Sequence, residues 1–209
     1  MQPHVDYYFS LTSPWSYLGH EPLLEIVAQT TSTITPFEVS FRKTIFSQTG
    51  GLPVHKRAPQ RQAYRLQELA RWRDYLGVEL NVHPKHWPND ETVAANMLIV
   101  LRETHSIDTA LRFTGRIMRG VWAEDRDIAD KETLIEIANE AAIDGAAVVD
   151  EAADPKWAEI RTAQTEAAVE RGVFGAPSYC VEEQIYWGQD RLEFVSRHLK
   201  NVAKAGASV

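Results

Sequence analysis

The chain contains one cysteine, Cys180. A lone cysteine makes no internal disulfide, no CxxC redox pair and no multi-cysteine metal site. It sits in an apolar run and reads as a small buried residue of the core. Also missing is any uninterrupted apolar stretch long enough to cross a bilayer. The opening residues 1–6 carry no basic segment followed by an apolar one, so no secretory leader is read there and a cytoplasmic location is expected. Positive charge is in short supply, with 22 Lys and Arg against 29 Asp and Glu and a formal net charge of −7. That balance argues against a broad nucleic-acid footprint. No internal repeat or disordered tail interrupts the 209 residues, of which 44% are hydrophobic. Such a chain can build one large domain, or a core domain carrying an insertion.

What is present follows two periods. Val5, Tyr7, Phe9 and Leu11 alternate with Asp6, Tyr8 and Ser10. This is a strand, and apolar or aromatic residues on both faces predict a central one. Thr12-Ser13-Pro14 follows at once. Ser13 can accept from free backbone N–H groups and Pro14 fits the first helical turn, so a helix starts here. Trp15, Leu18, Leu23, Ile26 and Val27 give it an apolar face, and Pro22 predicts a kink or break near Gly19. Residues 34–41 read as a second strand. Residues 47–59, with Gly50-Gly51 and two prolines, are a loop. Helices are then expected over residues 64–76, 92–103 and 109–121. Asp130 caps another through Leu134, Ile137 and Ala138, and Asp154-Pro155 starts one that Gly172 ends. The last segment returns to strands at 178–181 and 185–187, joined by Glu182-Glu183, before a helix through Leu192, Val195 and Leu199 capped by Asp190. The fold class is therefore α/β: strand–helix–strand, a helical block, then strand–strand–helix, with the two ends completing one sheet.

Five stretches recur in a known order across nearly the whole chain: FSLTSPWSYL (9–18), residues 64–72, VWAEDRDIAD (121–130), GVFGAPS (172–178) and WGQDRLEF (187–194). By these the chain resembles the DsbA-like superfamily. More narrowly, it is similar to the family of kappa-class glutathione transferases and 2-hydroxychromene-2-carboxylate isomerases. SPWSY alone is a weak signal, whereas its combination with GVFGAPS and GQDRLEF is much more specific. The resemblance implies a thioredoxin-like core built from residues 1–42 and 172–209, with an all-helical domain of residues 43–171 inserted. Where disulfide oxidoreductases of this kind carry CxxC, this chain has Ser13-Pro14-Trp15-Ser16. A serine hydroxyl cannot cycle with a disulfide, so any thiol must arrive with another molecule. The resemblance implies that this molecule is glutathione and that the protein is a homodimer, while the charge balance and the lack of a long apolar stretch predict no nucleic-acid or membrane partner.

Ser13 is the first candidate for catalysis and for cofactor binding. The start of a helix offers unpaired N–H donors and a partial positive field that favour an anion such as a thiolate. A hydroxyl beside them can hydrogen-bond that thiolate and help lower its pKa. Read without the resemblance, Ser13 is a helix cap and nothing more. Ser16, one turn on, either lines the pocket or bonds locally. The resemblance makes Ala176-Pro177 a cis-proline segment facing the helix start, pairing with an extended ligand, while Val173 and Phe174 either touch that ligand or fill the core. It puts Gln189 and Asp190 at the γ-glutamyl end, although Asp190 with Glu193 also has the spacing of a capping box. Arg61 is a candidate for a carboxylate of glutathione or substrate. Trp15, Tyr17, Trp87, Trp122 and Trp187 are candidate pocket walls. His83 and His86 lack a third ligand, so no metal is expected, and Arg126 with Asp127 reads as an ion-paired structural element. The activity implied is a glutathione-dependent isomerisation of an aromatic carboxylate by reversible thiolate addition to a conjugated double bond. A kappa-like transferase and a non-catalytic glutathione-binding module are the alternatives.

Overall fold

Alternation in the first segment sends Val5, Tyr7 and Phe9 into one hydrophobic cluster and Tyr8 into another. In the computed structural model, which describes residues 2–207, this segment is β1 (His4–Phe9). On one side it pairs in parallel with β2 (Thr33–Glu38), on the other antiparallel with β3 (Ser178–Val181), and β4 (Gln184–Trp187) completes the order β2-β1-β3-β4. The expected central strand is thus central. Tyr7 stacks on Phe9 and Tyr179 at ring distances of 4.4 and 5.6 Å, and on the opposite face Tyr8 stacks on Phe37 at 5.0 Å.

α1 (Pro14–Gln29) runs through Pro22 as one helix, so the break expected near Gly19 does not occur. Pro22 removes one helical N–H donor, but the buried row of Leu18, Gly19, His20 and Leu23 keeps the segment docked. Gly19 serves packing instead: a Cβ there would lie 2.5 Å from Tyr179 Oη.

After β2 the chain makes a π-helical turn, Phe41–Ile45, and α2 (Phe46–Thr49). It continues through a 3-10 turn at Val54–Lys56, α3 (Pro59–Leu76), α4 (Thr92–Thr104), α5 (Ile107–Trp122), α6 (Lys131–Glu140), α7 (Gly145–Glu151) and α8 (Pro155–Glu170). Asp130 and Asp154 cap α6 and α8 as expected, accepting from the N–H groups of Thr133 and Lys156. α7, capped by Asp144, was not expected. Its seven residues are too short to display a periodic face. The chain then re-enters the sheet and ends with a 3-10 turn, Gln189–Arg191, and α9 (Leu192–Ala207). Asp190 therefore lies inside that turn and does not cap α9. The fold is the α/β class expected, a thioredoxin-like core with a helical insertion, and one apolar cluster joins β1 and β3 to α4, α5 and α9. Among the described residues no helix is long and apolar enough to cross a membrane.

One buried group makes this packing acid-sensitive. His20 is 2% exposed, and its Nε2 donates to the Leu111 carbonyl at 3.1 Å, leaving Nδ1 buried without a partner. Burial holds the imidazole down at about 4, against an ordinary value of 6.5. Below pH 6.5 the unfolded chain gains a proton that the folded chain refuses. Stability from this residue is thus complete above that pH and falls by about 3 kcal/mol as the pH approaches 4. Urea unfolding at pH 7 and pH 4.5 checks this. His20→Gln keeps a donor for Leu111 and is expected to flatten the pH dependence, and an unchanged slope in that variant would refute the assignment.

Candidate active site

The pairing of Tyr8 with Ser178 places the turn after β1 beside the segment that enters β3, at one end of the sheet. The first turn carries Ser13 in an extended conformation, φ −89° and ψ 121°. Its Oγ accepts from the Ser16 N–H at 3.2 Å and its carbonyl from the Tyr17 N–H at 3.1 Å. Pro14 has no donor, and among the described residues no hydrogen bond engages the Trp15 N–H. The Ser13 hydroxyl proton and the Trp15 N–H are thus both available at the positive end of a 16-residue helix. Opposite stands Ala176-Pro177, whose peptide bond is cis. Ser178 Oγ donates to the Gly175 carbonyl at 2.7 Å, and the Gly188 N–H donates to the Pro177 carbonyl at 2.9 Å, tying this segment to the start of the Gln189–Arg191 turn.

These pieces border a cavity of about 780 Å³, within the range of roughly 300–1,000 Å³ usual for small-molecule sites. Ser13, Arg61, Ala176, Gln189 and Asp190 all line it. Ser16 and Pro177 are buried and do not, and the Ser16 hydroxyl has no hydrogen-bond partner. Of the aromatic candidates, Trp15, Trp87 and Trp187 line the cavity, Trp122 is fully buried, and the Tyr17 hydroxyl donates to the Glu79 carbonyl at 2.7 Å. Val173 belongs to the core, whereas Phe174 reaches the cavity and meets Trp187 edge to face at 4.9 Å. Gly175 makes room for that indole, since a Cβ there would lie 2.2 Å from Trp187 Nε1.

Although the chain is acidic, the cavity is basic. Arg42, Arg57, Arg61, Arg65 and Arg191 line it against the carboxylates of Glu68 and Asp190. Asp190 is exposed and pairs with Arg191 at 3.2 Å. Cys180 does not line this cavity. It is 1% exposed, and burial pushes its thiol up to about 11, which opposes thiolate formation. His86 sits 3.6 Å from Asp127, and among the described residues no group of His, Cys, Asp and Glu side chains is arranged to hold a metal. Arg126 pairs with Glu136 and Glu140, each at 2.8 Å.

Two features of the site escaped the sequence. The first is a buried chain of charges behind the Ser13 turn. Glu91 Oε2 accepts from the Ser10 hydroxyl at 2.7 Å and from both the backbone N–H and the hydroxyl of Thr12 at 3.0 Å. Its Oε1 lies 3.7 Å from Arg161, which donates two hydrogen bonds to fully buried Glu38 at 2.6 and 2.9 Å. Burial pushes the Glu38 carboxyl up to about 7, against the opposing pull of Arg161 and with a further push from Glu91. The second feature is Arg65. Arg57, Arg61 and Arg65 recur every four residues, which puts Arg61 and Arg65 on one face of α3; that spacing was the signal available.

The DSBA-like thioredoxin domain family matches residues 4–200. A 2-hydroxychromene-2-carboxylate isomerase of Sphingobium xenophagum is 28% identical over 95% of this chain and 99% of its own. Glutathione S-transferase kappa 1 of Caenorhabditis elegans is 22% identical over 93% of this chain and 89% of its own. A solved structure of 2-hydroxychromene-2-carboxylate isomerase superposes with a TM-score of 0.83 at 21% identity, covering 98% of both chains.

Proposed function

Because this chain belongs to the DSBA-like thioredoxin domain family yet carries serines where a CxxC pair would stand, we propose that it is a glutathione-dependent isomerase of an aromatic carboxylate. The observation that carries this reading is the pair of free donors, the Ser13 hydroxyl and the Trp15 N–H, at a helix start that opens on a basic, aromatic cavity. Such donors stabilise an anion, and no cysteine of the chain lines the cavity to supply one.

The donor set fits glutathione. Asp190 would meet the ammonium, Gln189 and Arg61 the carboxylates, and the Ala176 backbone the extended peptide. Bound glutathione supplies the sulfur nucleophile that adds reversibly to a conjugated double bond. Ser13 and the start of α1 hold negative charge at that sulfur. Ser16 contributes through its N–H, which orients Ser13 Oγ. Glu91 fixes the turn by holding Ser10 and Thr12. Trp15, Trp87 and Trp187 exclude water from the walls and favour a planar substrate.

The test is calorimetric titration of glutathione, followed by turnover of a panel of conjugated aryl carboxylates with mass analysis of products. Isomerised product with glutathione recovered unchanged is the expected result. Product heavier by one glutathione would favour the kappa-like transferase reading, and binding without turnover a glutathione-binding module. Absence of binding at millimolar glutathione would sink all three.

A further inference from the structure

Four of the five arginines around the cavity are either engaged or in contact with water. Arg42 donates to the Asn89 carbonyl at 2.9 Å, Arg57 to the Leu52 carbonyl at 2.8 Å, Arg191 pairs with Asp190, and Arg61 is exposed. Arg65 differs. It is 8% exposed, lines the cavity, and among the described residues makes no ion pair. Its Nη2 is sealed from solvent without an acceptor. Its guanidinium lies 4.9 Å from the ring centre of Trp87 and 5.9 Å from that of Trp122, and Trp87 is pinned by an indole hydrogen bond of 2.9 Å to the Thr12 carbonyl. Burial and the charge of Arg57 bring Arg65 down to about 10, which still leaves it cationic at neutral pH.

A buried cation without an anion is an arrangement that folding does not favour on its own. An apolar side chain would pack against the same two indoles at lower cost. Nη2 itself is closed off, so a partner for the charge arrives at the part of the guanidinium that lines the cavity, and the planar fork of a guanidinium matches a carboxylate. Trp87 and Trp122 already flank one side of the cation. We propose that Arg65 binds the carboxylate of the second substrate, an aromatic or aryl-conjugated acid, and so sets the specificity of the site for charged over neutral substrates. The identity of that substrate rests on the function proposed above, but the carboxylate site can be tested without it.

The probes are 2-naphthoate and its neutral counterpart 2-naphthamide, titrated by calorimetry into the wild-type chain, Arg65→Met and Arg65→Lys, with and without glutathione. Glutathione is titrated alone into each in parallel, and thermal melts confirm that the variants are folded. Wild type is expected to bind naphthoate saturably and better than the amide. Arg65→Met should weaken naphthoate by roughly 10- to 100-fold with little change for the amide or for glutathione, and Arg65→Lys should fall between. Equal binding of acid and amide by wild type, or unchanged naphthoate affinity in Arg65→Met, overturns the assignment. So does a loss confined to glutathione, which would give Arg65 to glutathione's own carboxylate. Naphthoate binding that depends on Arg65 in a protein that does not bind glutathione would uphold the carboxylate site and refute the cofactor.

Discussion

Replacing Ser13 by alanine is expected to lower kcat/KM for a conjugated aromatic carboxylate by roughly 10- to 100-fold at neutral pH, the cost of losing one hydrogen bond to a charged sulfur and with it part of the ionised thiol. The same change removes a helix cap, with a stability loss of about 1 kcal/mol, too small to account for such a fall. A cap and a thiolate donor predict different things beyond the rate. If Ser13 is a donor, the ultraviolet thiolate signal of bound glutathione weakens in Ser13→Ala and the rising limb of the kcat/KM–pH profile moves to higher pH, because the sulfur has lost a partner that favoured its ionised form. If Ser13 is only a cap, the melting temperature drops slightly while the thiolate signal and the profile remain in place.

The largest expected loss of stability comes from Arg161→Leu. Glu38 is fully buried and receives both hydrogen bonds of its ion pair from this one side chain. Removing the cation strands a fully buried carboxyl group near a second carboxylate, Glu91, at a cost of about 3–5 kcal/mol. The sign of the pH dependence follows. Without Arg161 the folded protein buries Glu38 more easily in its protonated form, so the deficit relative to wild type is greatest at alkaline pH and shrinks as the pH falls. Urea unfolding of both proteins at pH 8 and pH 5.5 measures it. The paired replacement Glu38→Gln with Arg161→Met should recover part of the loss, since it removes the stranded Glu38 charge and leaves only Glu91, still held by Ser10 and Thr12, without its cation. Arg161 also lies beside Glu91, which holds Ser10 and Thr12, so Arg161→Leu should loosen the Ser13 turn and weaken glutathione binding even where the protein remains folded.

How far the sequence foretells this molecule depends on the range of the interaction concerned. Features written in neighbouring residues were legible: the alternation of β1, the Ser13-Pro14 start of α1, the aspartate caps at 130 and 154, and the short strand at 178–181. The limits of α3 were not, because its first turn, Pro59-Gln60-Arg61-Gln62, is polar and has no periodic face until it packs. Pro22 misled for a related reason, since the penalty it carries is local and the contacts that outweigh it come from other elements. The motifs nominated Ser13, Ala176, Gln189 and Asp190 at opposite ends of the chain, and the sheet brings them to one cavity. The Glu38–Arg161–Glu91 network was invisible, and Arg65 showed only in the four-residue spacing it shares with Arg57 and Arg61, because charge in a sequence reads as surface. Only the fold reveals that Trp87 arrives from a distant loop to flank Arg65, or that Glu38 meets a cation 123 residues further on.

The order of the strands also bears on how the protein is made. Of the four strands of this sheet β1 is made first, and β2 can cover one of its edges almost at once. Its other edge waits for β3: Tyr7 pairs with Tyr179, 172 residues later. At ordinary rates of bacterial or eukaryotic translation that interval is roughly 10–30 s. During it an aromatic strand has one side open to any passing strand. An aromatic edge in the middle of the finished sheet thus stays unpaired until the helical insertion has been made, and any pause within that insertion would lengthen its exposure.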